Sequence, residues 1–144
     1  PTSRNRRRLV RRRIGILKLG LEDHKTTSKA VSIPSREGTV SESLFCPGYL
    51  NLGTKSLLFP AGSNYSMGYP YKQAILCCEG SGPFEWGEPS VLIDDDALPM
   101  GGPASFDWAD PVLNQDNSVT LYFSACPRET GRWSVFKCEM RVSL

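Results

Sequence analysis

The chain has 144 residues, of which 40% are apolar and 10% aromatic, and its formal net charge is +2. This length suits one domain with a hydrophobic core and is short for two domains of ordinary size. No apolar run approaches the roughly 18 residues of a membrane-spanning helix, and Gly15 and Lys18 interrupt the apolar run after the basic start. We therefore expect neither a membrane span nor a secretory signal.

Positive charge is concentrated at the start of the chain. Residues 1–29 hold seven arginines and three lysines against two acids, a net charge of +8, whereas the remaining residues hold seven bases against thirteen acids, or −6. Arginine is always charged, and its planar fork of donors fits phosphate oxygens two at a time. Neutralising phosphates also releases counterions without reading a sequence. We predict an arm that binds RNA or DNA regardless of sequence through Arg4, Arg6, Arg7, Arg8, Arg11, Arg12, Arg13 and Lys18.

Two other interpretations of the basic segment remain open. An Arg-rich, acid-poor start is also typical of an organellar transit peptide. A membrane-surface helix would place four apolar residues on one face, because they are spaced by four, three and four positions: Val10, Ile14, Leu17 and Leu21. Gly15 and Gly20 weaken such a helix. We therefore expect a strand from Gly15 onward, which joins the arm to a sheet.

The body is divided into short segments by its 13 Gly and 11 Pro, which favour strands and turns. Residues 22–43 are polar and indicate a linker or a lone edge strand. Residues 44–59 hold two apolar bursts separated by turn residues and predict a hairpin. Residues 60–70 predict an exposed loop rich in Gly, Pro, Ser and Tyr. Tyr71–Cys78 then predicts a buried strand.

The end of the chain shows the clearest periodicity. Ser118–Ala125 alternates apolar and polar residues, and Trp133–Leu144 nearly does so after a turn, which predicts an antiparallel hairpin with one core face. The fold class is therefore all-β, an antiparallel β-sandwich. We divide the chain into a basic N-terminal arm and linker at 1–29 and a β-sandwich domain at 30–144.

A six-residue pattern of aromatic, acid, Trp, small residue, acid and Pro occurs twice, at Phe84–Pro89 and Phe106–Pro111. We interpret the two copies as equivalent strand starts. Trp86 and Trp108 are accordingly candidate interface or ligand residues. Trp rings with neighbouring carboxylates also suit a sugar site, in which carboxylates perform acid and base chemistry. That alternative uses Glu85, Glu88, Asp107 and Asp110.

Three consecutive acids, Asp94, Asp95 and Asp96, are candidate ligands for a hard cation such as calcium, and no other cofactor is expected. The whole segment of residues 73–127, which holds nine acids and no Lys or Arg, could instead form a solvated face that repels nucleic acid and receives the basic arm of a neighbouring copy.

Catalytic and Cys/His metal chemistry are not expected. The five cysteines predict mostly free thiols in a reducing compartment, with one disulfide between the last strands as the alternative. The single histidine, His24, and the lack of a nucleophile elbow, a P-loop or zinc spacing disfavour a Cys/His metal site and an enzyme.

The layout of an Arg-rich arm before a compact β domain resembles the coat proteins of small icosahedral viruses, without a motif matched residue by residue. The resemblance implies a jelly roll, an arm from Arg4 to Lys18 that neutralises packaged genome, and a domain from Ala30 to Leu144 that assembles with further copies. It also implies location in the virion, and in the host cytoplasm or nucleus. The alternatives are a ribosomal or other ribonucleoprotein subunit and the carbohydrate-active β domain described above.

Overall fold

The computed structural model describes residues 14–19 and 26–143, and for residues 15–19 and 26–29 it describes the backbone alone. Strands dominate this part of the chain, with two short 3-10 turns at Tyr65–Met67 and Asp95–Ala97. The strands are β1 Gly15–Leu19, β2 Thr26–Ala30, β3 Ser43–Asn51, β4 Ser56–Ser63, β5 Gln73–Gly80, β6 Ser90–Ile93, β7 Ala104–Leu113, β8 Ser118–Pro127 and β9 Ser134–Arg141. Every pairing between these described strands is antiparallel, so the all-β class is confirmed.

The strands form a β1–β2 hairpin, a four-stranded sheet in the order β3-β4-β5-β6 and a three-stranded sheet in the order β7-β8-β9. Neighbours in each sheet are also neighbours in sequence, so each sheet is a meander. A jelly roll is built from Greek keys, which place non-consecutive strands side by side. The described strands do not have that arrangement, and the jelly-roll expectation is replaced by two packed meanders.

The main core lies between the four-stranded and three-stranded sheets. Leu57, Phe59 and Ala61 of β4 belong to the same buried cluster as Phe106 of β7 and Leu121 of β8. Alternate residues of a strand point to opposite faces, so these three β4 side chains share the face toward the second sheet. This common core joins the two sheets in one domain.

The opposite face of the four-stranded sheet is also covered. Leu58 and Cys78 are buried there with Val31 and Trp86. The segment around Val31 is held in place by backbone hydrogen bonds from Val31 N to the Ile14 carbonyl at 3.0 Å and from Trp86 N to the Ser32 carbonyl at 3.0 Å. The start of the described chain therefore forms a third layer on this sheet.

Several predicted elements are confirmed and two are corrected. The strand from Gly15 and the hairpin within 44–59 are present. Residues 22–43 contain β2, which pairs with β1 and is therefore not a lone edge strand. The predicted exposed loop at 60–70 is wrong at its start, because residues 60–63 continue β4 and are buried. Pro60 fits within this central strand because it lies where the β3–β4 register is interrupted by a bulge.

The predicted hairpin at the end of the chain is present as β8 and β9, but its core face is shorter than the alternation indicated. Phe136 pairs with Phe123 and packs against the core, whereas Val135 pairs with Ser124 and is exposed. Trp133, which precedes β9, is also exposed. The register, which is set by pairing with β8, therefore turns Val135 toward solvent.

Strands β3 and β7 approach each other closely at Gly48. A Cβ atom at Gly48 would overlap the carbonyl oxygen of Ala109 and lie 2.7 Å from Pro111 Cδ. Each strand is bulged near this point, between Phe45 and Gly48 in β3 and around Trp108 in β7. The junction of the two sheets thus requires a residue without a side chain at Gly48.

We expect Gly48→Ala to lower the free energy of unfolding by about 1–3 kcal/mol, because the added methyl group has no space beside the β7 backbone. Urea denaturation followed by circular dichroism measures this change. Gly82→Ala is the matched control, because a Cβ atom at Gly82 meets no atom within 4 Å. Equal midpoints for the two variants would contradict the close approach.

Candidate assembly and nucleic-acid surfaces

The predicted nucleic-acid-binding arginines, Arg4 to Arg13, lie outside the described residues. Lys18 is in β1, where its backbone pairs with Thr27, and its side chain is not described. Ile14 is the first described residue, and it packs half-buried against both apolar clusters on the outer face of the four-stranded sheet. The basic segment therefore connects to the domain on that face.

Two basic side chains of the body, Arg128 and Lys55, are engaged with the domain itself. The Arg128 guanidinium donates to the Tyr71 carbonyl and lies 5.3 Å from the ring centroids of both Tyr69 and Tyr71. Lys55 pairs with Glu79 at 3.2 Å. These contacts hold two of the body's seven basic side chains against its own fold. The densest positive charge of the sequence is the arginine cluster before Ile14.

The two Trp-containing motifs have different structures, so the predicted equivalence is wrong. Trp86 is 7% exposed and lies in the connection between β5 and β6, where its indole N–H donates to the Pro83 carbonyl at 3.1 Å. Trp108 is 69% exposed and lies within β7. Trp86 is therefore a core residue of the outer layer.

Trp108 occupies the bulge of β7 with a backbone φ of 44°, a left-handed conformation that is unusual for a residue with a large side chain. The backbone N–H of Trp108 donates to the Asp107 carboxylate at 3.0 Å. The strand therefore holds an aromatic ring in solvent at some conformational cost, which is typical of sites that meet a partner.

The three consecutive acids have structural partners within the described chain. Asp94 Oδ1 accepts from Asp96 N at 3.1 Å, and Asp95 Oδ1 accepts from Ala104 N at 2.9 Å. These bonds shape the connection from β6 to β7. The described residues contain no group of three or more His, Cys, Asp or Glu side chains placed to hold a metal ion. The calcium site accordingly stays a prediction from sequence.

The cysteines lie outside disulfides, and burial disfavours the thiolate form of three of them. None of the five forms a disulfide, so the prediction of thiols outside disulfides is confirmed. Burial raises the pKa of Cys78 to about 12, with a further contribution from the adjacent Cys77. Burial also raises the pKa of Cys77 and of Cys138. Because the thiolate is the reactive form, these three thiols are poorly suited to covalent catalysis.

A small apolar groove lies beside the point where the arm joins the domain. It has a volume of about 280 Å³, and its walls include Ile14, Tyr49 and Trp86. The Tyr49 and Trp86 rings meet edge to face with centroids 6.1 Å apart. The sequence identified Trp86 as a candidate interface or ligand residue. It did not identify Tyr49, because no local sequence pattern links Tyr49 to Trp86.

The outer face of the three-stranded sheet is a second surface that the sequence interpretation missed. Tyr122 of β8 pairs with Asp110 of β7 on one side and with Lys137 of β9 on the other. All three side chains are exposed. The alternation in Ser118–Ala125 contained this signal, because its polar positions define the face opposite the core.

No protein-family model, curated protein or solved structure matches this chain. Among the described residues, no helix has the length and apolar character needed to cross a membrane.

We expect Trp86→Ala to destabilise the protein by about 3–5 kcal/mol, because it removes a buried aromatic side chain from the outer layer. Trp108→Ala, at an exposed position with the same backbone conformation retained, should change stability by no more than about 0.5 kcal/mol. Thermal and urea unfolding of the two variants measure the difference. Similar losses in both would restore the equivalence of the two motifs.

Proposed function

We propose that this protein is a structural nucleic-acid-binding protein, a viral capsid subunit whose arginine-rich arm neutralises packaged genome while its β domain assembles with further copies. In this proposal it resides in the virion, and in the host cytoplasm or nucleus before assembly. The observation that carries the proposal is the separation of charge, with +8 on residues 1–29 and −6 on the rest. A polyanion is attracted to the first part and repelled by the second.

The attachment of the arm supports separate roles for the arm in nucleic-acid binding and for the domain in assembly. Ile14 is anchored through its carbonyl to Val31 N at 3.0 Å and packs on the outer face of the four-stranded sheet. Arginines before Ile14 therefore start from a fixed position on the domain. A charged segment that is tethered in this way can bind phosphates of any sequence without a folded reading surface.

Exposed apolar side chains on the domain support the assembly part of the proposal. Trp108, Val135 and Trp133 are each more than half exposed and lie in or beside the three-stranded sheet. Tyr and Trp are enriched at the centres of protein interfaces because they combine a large apolar area with a polar group.

Replacing the six clustered arginines at 6–8 and 11–13 by Ser should make nucleic-acid binding much less dependent on salt. The unmodified chain should show a slope of log affinity against log salt of roughly −5 to −7, because about six to eight phosphates are engaged. The variant should have a slope shallower than roughly −2. Fluorescence anisotropy with a labelled oligonucleotide over a range of salt concentrations measures both.

Replacement of the same six arginines by Lys is the matched control. Lys keeps the charge that releases counterions, so its slope should stay near that of the unmodified chain. A Ser variant whose slope equals that of the Lys variant would refute the role proposed for the arm.

Self-association separates the capsid proposal from a ribonucleoprotein subunit. A capsid subunit freed of nucleic acid should still associate with itself and form closed shells when nucleic acid is restored. Negative-stain imaging with and without nucleic acid shows whether the protein forms such assemblies. A protein that remains monomeric in both conditions would favour the ribonucleoprotein interpretation.

A further inference from the structure

We propose that the outer face of the three-stranded sheet is a twofold contact between two copies of this chain. The proposal deepens the assembly part of the proposed function and rests on it. The strand register defines three rows across this face, from β7 through β8 to β9. These rows are Asp107–Ser124–Val135, Asp110–Tyr122–Lys137 and Val112–Thr120–Glu139.

The two outer faces of the molecule differ in how they are covered. Val31, Ile33 and Trp86 pack on the outer face of the four-stranded sheet. On the three-stranded sheet, Tyr122 is 43% exposed and Val135 is 72% exposed. Among the described residues, this second face therefore presents apolar side chains that have no covering layer, which is typical of an interaction surface.

Charge on this face is arranged so that a second copy would complement it. Asp107 and Asp110 lie on β7, at one side of the face, and Lys137 and Arg141 lie on β9, at the other. Tyr122 lies between Asp110 and Lys137 in the same row. The middle row thus runs from an acid through an aromatic residue to a base.

Only one orientation of a twofold axis uses this arrangement. If the axis runs between the two sheets and parallel to β8, β7 of each copy faces β9 of the other. Asp110 of each copy then faces Lys137 of the other, which gives two equivalent contacts, and the two Tyr122 rings meet at the axis. An axis perpendicular to the strands would instead place β7 on β7 and oppose Asp110 to itself. Isologous contacts require such self-complementarity, and complementary charges fix the orientation of the partners.

Glu139 is the acid on the basic side of the face. Its carboxylate lies 4.0 Å from Lys137 Nζ, so its charge is partly balanced within the same strand. In the proposed orientation Glu139 faces Val112 of the second copy, not an acid. A nucleic acid is a poor alternative occupant, because Asp107 and Asp110 repel phosphates.

A charge-swap cycle tests the contact. Asp110→Lys opposes two lysines at each of the two contacts that flank the axis, and Lys137→Asp opposes two aspartates there, so each change should raise the dissociation constant at least about tenfold. The double variant restores opposite charges and should return association to within about threefold of the unmodified chain. Glu129→Lys is the control, because it makes the same acid-to-base change at an exposed position in the β8–β9 turn.

Analytical ultracentrifugation of the full chain, freed of nucleic acid by nuclease and high-salt purification, measures association at physiological ionic strength. Circular dichroism confirms that each variant is folded. Single variants that associate as well as Glu129→Lys, or a double variant no better than the singles, would overturn the proposed contact. A monomeric unmodified chain would overturn it too.

The outcome is distinguishable from failure of the nucleic-acid role. Charge-reversed variants that still assemble would refute this face as the contact while leaving the capsid proposal standing. A chain that associates through this face but whose nucleic-acid binding is unaffected by the arm's arginines would retain the contact and lose the genome-binding role.

Discussion

The constraint on which the rest of the structure depends is that β4 is buried on both faces. All of Ser56–Ser63 is buried, so the four-stranded sheet needs a cover on each side. The three-stranded sheet supplies one cover through Phe106 and Leu121, and the segment around Val31 supplies the other. Burying apolar area on two sides contributes stability on each. The segment that follows the basic arm is therefore part of the fold and fixes the point at which the arm joins the domain.

This layering gives the molecule two outer surfaces with different chemistry. One is the layer to which Ile14 and the arm are attached, and the other is the exposed face around Tyr122. A subunit that binds a polyanion and its own copies at once benefits when the two tasks use separate surfaces, since positive charge gathered at a subunit contact would repel its counterpart. Eleven of the body's thirteen acids lie at or after Glu79, whereas the clustered arginines end at Arg13.

The sequence was sufficient for the elements with strong local patterns and insufficient where distant contacts decide. Alternation in Ser118–Ala125 predicted β8 correctly, because one face of that strand is in the core. Pro60 suggested a loop, but the β3 bulge opposite it makes a proline acceptable in a central strand. Trp86 and Trp108 have nearly the same neighbours in sequence. Their different exposure results from the pairing of residue 86 with Ser32 and the bulge at residue 108, neither of which has a local signal.

The candidate surfaces also differ in whether a local sequence pattern or distant contacts determine them. Net charge is a property of composition, so the prediction of an arm that binds a polyanion needs only residues 1–29. A contact face depends instead on which residues from three strands share a row, and a shift of one residue in β9 would exchange Lys137 for Phe136 beside Tyr122. The β8–β9 register is held by the same pairing that puts Phe136 against Phe123 in the core. Core packing therefore also determines the charge pattern on the outer face, because one register sets both.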